Sequence, residues 1–151
     1  MEKFSIVEVI EQAIQTERAG YKFYSSLVEK FEEPALKDLF LKLAARERQH
    51  EKTYTELKDM VKQDEEPAGW DEASAYLKAI IESHFFVGKG KSMPLMDYIT
   101  TKKQAIEIAL CFEKETLLYF YGLREVVKEK EVVDEIINEE KSHIMWLERF
   151  G

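Results

Sequence analysis

Glu47-Arg48-Gln49-His50 and Glu140-Lys141-Ser142-His143 are two copies of one pattern, a glutamate and a histidine three positions apart. On an α-helix that spacing projects both side chains to one side, so each pair can reach a single point. Glu17 stands 30 residues upstream of Glu47, and Glu113 stands 27 residues upstream of Glu140. Each of these lone glutamates interrupts an apolar stripe. The repeat supplies four carboxylates and two imidazoles, a donor set that suits a pair of divalent ions.

Working outward, four segments carry apolar residues at alternating intervals of three and four, the spacing of a bundle seam. The first reads Ile6, Ile10, Ala13, Glu17, Gly20, Tyr24, Leu27, Phe31. The second reads Leu36, Phe40, Leu43, Glu47, His50, Tyr54, Leu57, Val61. The third reads Ile106, Ala109, Glu113, Thr116, Phe120, Leu123, Val127, and the fourth Val133, Ile136, Glu140, His143, Leu147, Phe150. In all four the polar residues fall near mid-seam. The pattern predicts an all-α chain with helices over about 4–31, 34–63, 98–128 and 131–150.

The links sort the topology. Glu32-Glu33-Pro34 and Glu129-Lys130-Glu131 are too short for anything but antiparallel neighbours. Pro34 suits a first helical turn, where its missing N–H goes unneeded. The span 64–97 holds Pro67, Gly69, Gly88, Gly90 and Pro94, and is too long for a structureless loop. Within it Trp70 to Phe86 reads as helical, with Asp71 or Ser74 available near its start. The expected architecture is one domain over 1–151, a four-helix bundle. It joins two antiparallel hairpins by a long crossover whose short helix packs on the outside.

Composition narrows the class. A length of 151 residues suits one domain with a proper core. A net charge of −8 argues against a nucleic-acid partner, whose phosphates call for Lys and Arg. The single cysteine, Cys111, excludes an intramolecular disulfide or a four-thiolate centre built from this chain. No apolar run approaches the roughly 20 residues that span a bilayer. The charged start, Met1-Glu2-Lys3-Phe4-Ser5, lacks a signal-peptide apolar block. A soluble, cytoplasmic protein without nucleic-acid or membrane partners is expected.

A single Glu-x-x-His is common by chance on charged helices, and a lone seam glutamate is usually a boundary residue. Six such residues on four seams at matching heights are a different matter. Four buried carboxylates without cations would each cost several kcal/mol in desolvation. Two divalent ions cancel all four charges; the bland alternative is a polar core network. The repeat extends past these positions: Ala13 aligns with Ala109, and Tyr21-Lys22-Phe23-Tyr24 with Leu117-Leu118-Tyr119-Phe120.

With Glu17-Arg18-Ala19-Gly20-Tyr21-Lys22-Phe23-Tyr24 and the two helical pairs, the chain resembles the ferritin-like superfamily. Within it, the chain is similar to the rubrerythrin-type di-iron carboxylate proteins. Their known scheme is a glutamate from each of two helices and Glu-x-x-His from each of the other two. The resemblance covers nearly the whole chain and is weak only in the crossover. It implies a ferritin-like bundle holding two iron ions, with manganese or zinc suited to the same ligands. It makes Glu17 and Glu113 terminal carboxylates, Glu47 and Glu140 bridges, and His50 and His143 caps of one ion each. The four glutamates are then the reactive, metal-bound positions.

The resemblance further implies an oxidoreductase of oxidative-stress type that reacts with hydrogen peroxide or dioxygen. Electrons would come from a separate donor such as a rubredoxin-like protein, and a homodimer is expected. Two departures accompany it. Rubrerythrins often add a four-cysteine, rubredoxin-like iron domain, which a chain with only Cys111 lacks. They also tend to carry a second carboxylate three positions after the third-helix glutamate, where Thr116 stands here. Other functions carried by such ligands are iron storage with ferroxidase chemistry, dimanganese catalase chemistry, and a scaffold with a vestigial site.

Further residues invite attention. Tyr21, Tyr24, Tyr54 and Tyr119 fall within two turns of the six; they read chiefly as core aromatics, with Tyr24 and Tyr54 on the seam. Gly20 permits a close helix approach or opens space for a small oxidant. Cys111 is turned about 200° from Glu113 and is expected to pack rather than ligate. His84 belongs to neither repeat and reads as a surface or helix-end residue. Trp70 and Trp146 read as packing anchors.

Overall fold

The computed structural model describes residues 5–61, 67–83 and 96–150, which form five helices and no strand. They are α1 (Ile6–Lys30), α2 (Pro34–Met60), α3 (Trp70–Ser83), α4 (Lys102–Val126) and α5 (Lys130–Phe150). His84, Phe86, Gly88, Gly90 and Pro94 lie outside the described residues.

Local chemistry sets the helix starts. Ser5 caps α1, its hydroxyl accepting from the Glu8 amide at 3.1 Å. Pro34 opens α2 at a position that needs no amide donor. Gly69 precedes α3 at φ +73°, a left-handed conformation that costs a Cβ-bearing residue dearly. α4 begins at Lys102, later than the seam pattern predicts, because Thr101 and Gln104 form a reciprocal capping box. The Gln104 amide donates to Thr101 Oγ1 at 3.1 Å, and the Thr101 amide to Gln104 Oε1 at 3.0 Å. That side-chain pairing outweighs the apolar Tyr98 and Ile99, which period alone would draw into the helix.

α1 pairs with α2 and α4 pairs with α5, and the two hairpins meet through α1 against α4 and α2 against α5. Among the described residues the backbones of the diagonal pairs stay apart, so the four long helices enclose one axial seam across which side chains meet. α3 lies outside this square, against α4 and α1, and buries Trp70, Ser74, Leu77 and Ile81. Gly122 makes the docking close: a Cβ there would stand 2.6 Å from Leu77 Cδ2. The crossover thus carries a helix on the outside of the bundle. Ser74 does not cap it; its hydroxyl donates to Asp71 O inside the first turn.

The duplication is visible in burial. Ala13 and Ala109 are both fully buried. Phe23 and Tyr24 are buried as are Tyr119 and Phe120, while Lys22 and Leu118 are both exposed. The seam core is apolar at each end and polar only in the middle, at the level of the repeated glutamates.

Candidate metal centre

Glu17 on α1, Glu47 and His50 on α2, Glu113 on α4, and Glu140 and His143 on α5 are each at most 1% exposed. The three-residue step in α2 and in α5 turns glutamate and histidine to the same side, as helical geometry requires. All six meet on the axis. One group of donor atoms comes from Glu17, Glu47, His50 and Glu140, all within 4.8 Å of one another. A second comes from Glu47, Glu113, Glu140 and His143, within the same limit. Glu47 and Glu140 belong to both groups. They lie between two four-donor sets, each completed by one further carboxylate and one imidazole.

Both histidines present Nδ1 to the interior. His50 Nδ1 lies 2.9 Å from Glu140 Oε1 and 3.5 Å from Glu17 Oε1. His143 Nδ1 lies 3.5 Å from Glu113 Oε1, 3.6 Å from Glu140 Oε2 and 3.7 Å from Glu47 Oε1. The rings stack at 5.7 Å between centroids.

Aromatic residues close the seam above and below. On one side Tyr24 stacks on Phe40 and meets Phe112 edge-on, its hydroxyl donating to Glu113 Oε1 at 2.5 Å. On the other, Tyr54 packs against Phe120 at 5.1 Å. Tyr119 donates to Val9 O and is a satisfied core aromatic. Tyr21 lies outside, under the Arg48 guanidinium. Gly20 brings α1 onto the site: a Cβ there would stand 2.9 Å from Glu47 Oε2 and 3.0 Å from Phe112 Cε1.

So much buried charge is untenable by itself. Burial pushes the Glu17 and Glu47 carboxyls well above their ordinary range. Burial and the neighbouring Glu140 carry Glu113 to about 8. Glu140 is the exception. Burial raises it, but the adjoining Glu113 carboxyl and the His143 and His50 imidazoles outweigh that and hold it below the ordinary range. Burial opposes charge on both imidazoles, yet the surrounding carboxylates lift His50 to about 9 and His143 to about 10. Metal-free, the cluster stays near neutrality only by retaining protons.

Both oxygens of Glu17, Glu47 and Glu140, Oε2 of Glu113, Nδ1 of His50 and both ring nitrogens of His143 are buried without a hydrogen-bond partner among the described residues. Buried polar atoms are rarely left so. Their concentration on one axial point, as hard carboxylate oxygens with two imidazoles, fits a pair of divalent cations. The rubrerythrin family model matches residues 8–150, which includes all six.

The chain belongs to the rubrerythrin family.

Its fold is ferritin-like. The chain is similar to the crystal structure of a protein from Thermotoga maritima described as a ferritin-like diiron-carboxylate protein. Identity is 25%, the match covers 99% of this chain and 95% of that one, and the TM-score is 0.71. No curated protein matches the sequence significantly.

Within the rubrerythrin framework the remaining residues fall into place. Thr116 is fully buried on the seam, its hydroxyl without a partner among the described residues. Cys111 faces solvent with its thiol toward Glu115 at 3.7 Å, so it neither ligates nor packs as expected. Helical rotation placed it correctly away from the site, but on an uncovered face of α4. Trp70 is buried in the α3 contact. Trp146 is half-buried, 5.2 Å from the His143 ring, with Lys42 Nζ 3.7 Å over its face. Sequence inspection missed Glu139, which contacts His50 Nε2 from α5. Glu139 lies off the seam and its partner is on another helix, so no periodicity in either segment marks it.

Among the described residues no helix is long and apolar enough to cross a membrane.

Proposed function

We propose that the chain is a dinuclear non-haem iron protein that reduces hydrogen peroxide, or dioxygen, with electrons from a separate donor. The observation that carries this reading is the sharing of Glu47 and Glu140 by two otherwise distinct four-donor groups. In this proposal Glu17 and His50 would help hold one ion, Glu113 and His143 the other, and Glu47 and Glu140 would serve both. When bound, two ferrous ions would supply the two electrons that reducing a peroxide O–O bond requires.

The chain's own residues supply the rest. Four carboxylates hold charge close to neutral across the pair. The aromatic layers of Tyr24, Phe40 and Phe112 on one side and Tyr54 and Phe120 on the other keep bulk water from the axis. Tyr24 Oη, hydrogen-bonded to Glu113 Oε1, fixes that carboxylate's orientation and offers a proton beside it. Converting one peroxide to two waters consumes two protons and two electrons. The electrons must be replaced by an external reductant, for which a small rubredoxin-like carrier is the proposed class.

The test is anaerobic loading with ferrous iron followed by stoichiometric peroxide, read by iron content and optical spectrum. Two irons per chain and oxidation complete at one peroxide per pair support the proposal. Iron accumulating far beyond two per chain, with peroxide no better than dioxygen, would overturn it in favour of storage.

A further inference from the structure

The two halves of the site differ where their histidines face outward. His50 Nε2 contacts Glu139 Oε2, and the other Glu139 oxygen lies 3.7 Å from Arg46 Nη1. His143 Nε2 is buried with no acceptor among the described residues, its ring against Trp146 at 5.2 Å. The repeat explains the difference. Glu139 immediately precedes Glu140, and the residue at the matching place before Glu47 is Arg46. A carboxylate in one half is thus replaced by a cation in the other, and among the described residues only His50 has an acidic partner at its outer nitrogen.

A carboxylate on the outer nitrogen of a metal-binding imidazole fixes its tautomer with Nδ1 free for the ion, locks the ring and raises its donor strength. We infer that Glu139 is a positioning residue for His50, and that it makes the two metal positions unequal, the Glu17–His50 position binding its ion more tightly than the Glu113–His143 position. The inference rests on the proposed dinuclear reading and deepens it. Glu139 is about a third exposed, so it can be replaced without opening a cavity in the core.

The experiment is a titration of cobaltous ion into metal-free protein under anaerobic conditions, for the wild type, Glu139→Ala and Glu139→Gln. It follows affinity by calorimetry and each bound ion by its visible ligand-field spectrum. The wild type should take up two ions in two resolved steps. Glu139→Ala should weaken the tighter step by 10- to 100-fold, the usual effect of losing such a partner, and alter that step's spectrum. The weaker step should keep both its affinity and its spectrum. Glu139→Gln retains an acceptor without the charge and should fall between the two.

Unchanged affinities and spectra in Glu139→Ala would overturn the inference. So would equal weakening of both steps, which would mark a structural role instead. Failure of the wild type to bind two ions would overturn the dinuclear reading itself, a result distinguishable from either.

Discussion

Adding one methyl group at Gly20 should separate metal binding from folding. A Cβ there would lie 2.9 Å from Glu47 Oε2, 3.0 Å from Glu47 Cδ and 3.0 Å from Phe112 Cε1. Phe112 is fully buried between α1 and its own helix and has little room to yield. The Glu47 carboxylate must therefore retreat by about 0.5 Å to restore an ordinary contact of 3.4 Å. Metal–carboxylate bonds tolerate only about 0.2 Å of error. Because Glu47 belongs to both donor groups, both ions should feel the change.

Folding should feel it less. Overpacking costs about 1–3 kcal/mol, and replacing glycine by alanine within a helix returns about 0.5–1 kcal/mol. For Gly20→Ala the expectation is a modest loss of metal-free stability. It is joined by at least a tenfold loss of cobaltous-ion affinity at both positions, about 1.4 kcal/mol each. Calorimetric titration and thermal melts with and without metal read the two effects separately. Two ions bound with wild-type affinity would refute the reasoning that Glu47 is held in place by the missing side chain.

Three further outcomes are expected. Metal-free protein should lose stability as pH rises from 6 to 9, since Glu113 at about 8, His50 at about 9 and His143 at about 10 hold protons that the unfolded chain releases at lower pH. Bound divalent metal should flatten that slope, and a metal-free Tm that rises over this range would contradict the assignment. Glu140→Ala should abolish tight binding of both ions while Glu129→Ala retains two, as read by metal analysis of the purified variants. Gly122→Ala should press on Leu77 and loosen α3 at a cost of about 1–3 kcal/mol, yet keep metal content unchanged, because α3 provides no donor.

The long helices were legible because their apolar period is sustained over several turns, and the six mid-seam residues because they break that period at matching heights. Burial then follows from position: Ala13 and Ala109, or Phe23 and Tyr119, occupy equivalent places in the two hairpins and are buried alike. The start of α4 was not legible from period, because a capping box between Thr101 and Gln104 decides it. Nor was the exposure of Cys111, since periodicity tells which residues face the seam but not which outer faces another helix covers. α3 shields the part of α4 around Gly122 and leaves Cys111 open. Glu139 escaped for a related reason. Its role depends on the side-by-side packing of α2 and α5, segments separated by most of the chain.

Anomalous diffraction from crystals loaded anaerobically with ferrous iron tests the central claim most directly. Two iron peaks are predicted on the bundle axis, one beside Glu17 and His50, the other beside Glu113 and His143, with Glu47 and Glu140 reaching both. Crystals holding abundant iron but no peak among these six side chains, or a single ion that leaves either histidine unbound, would contradict it.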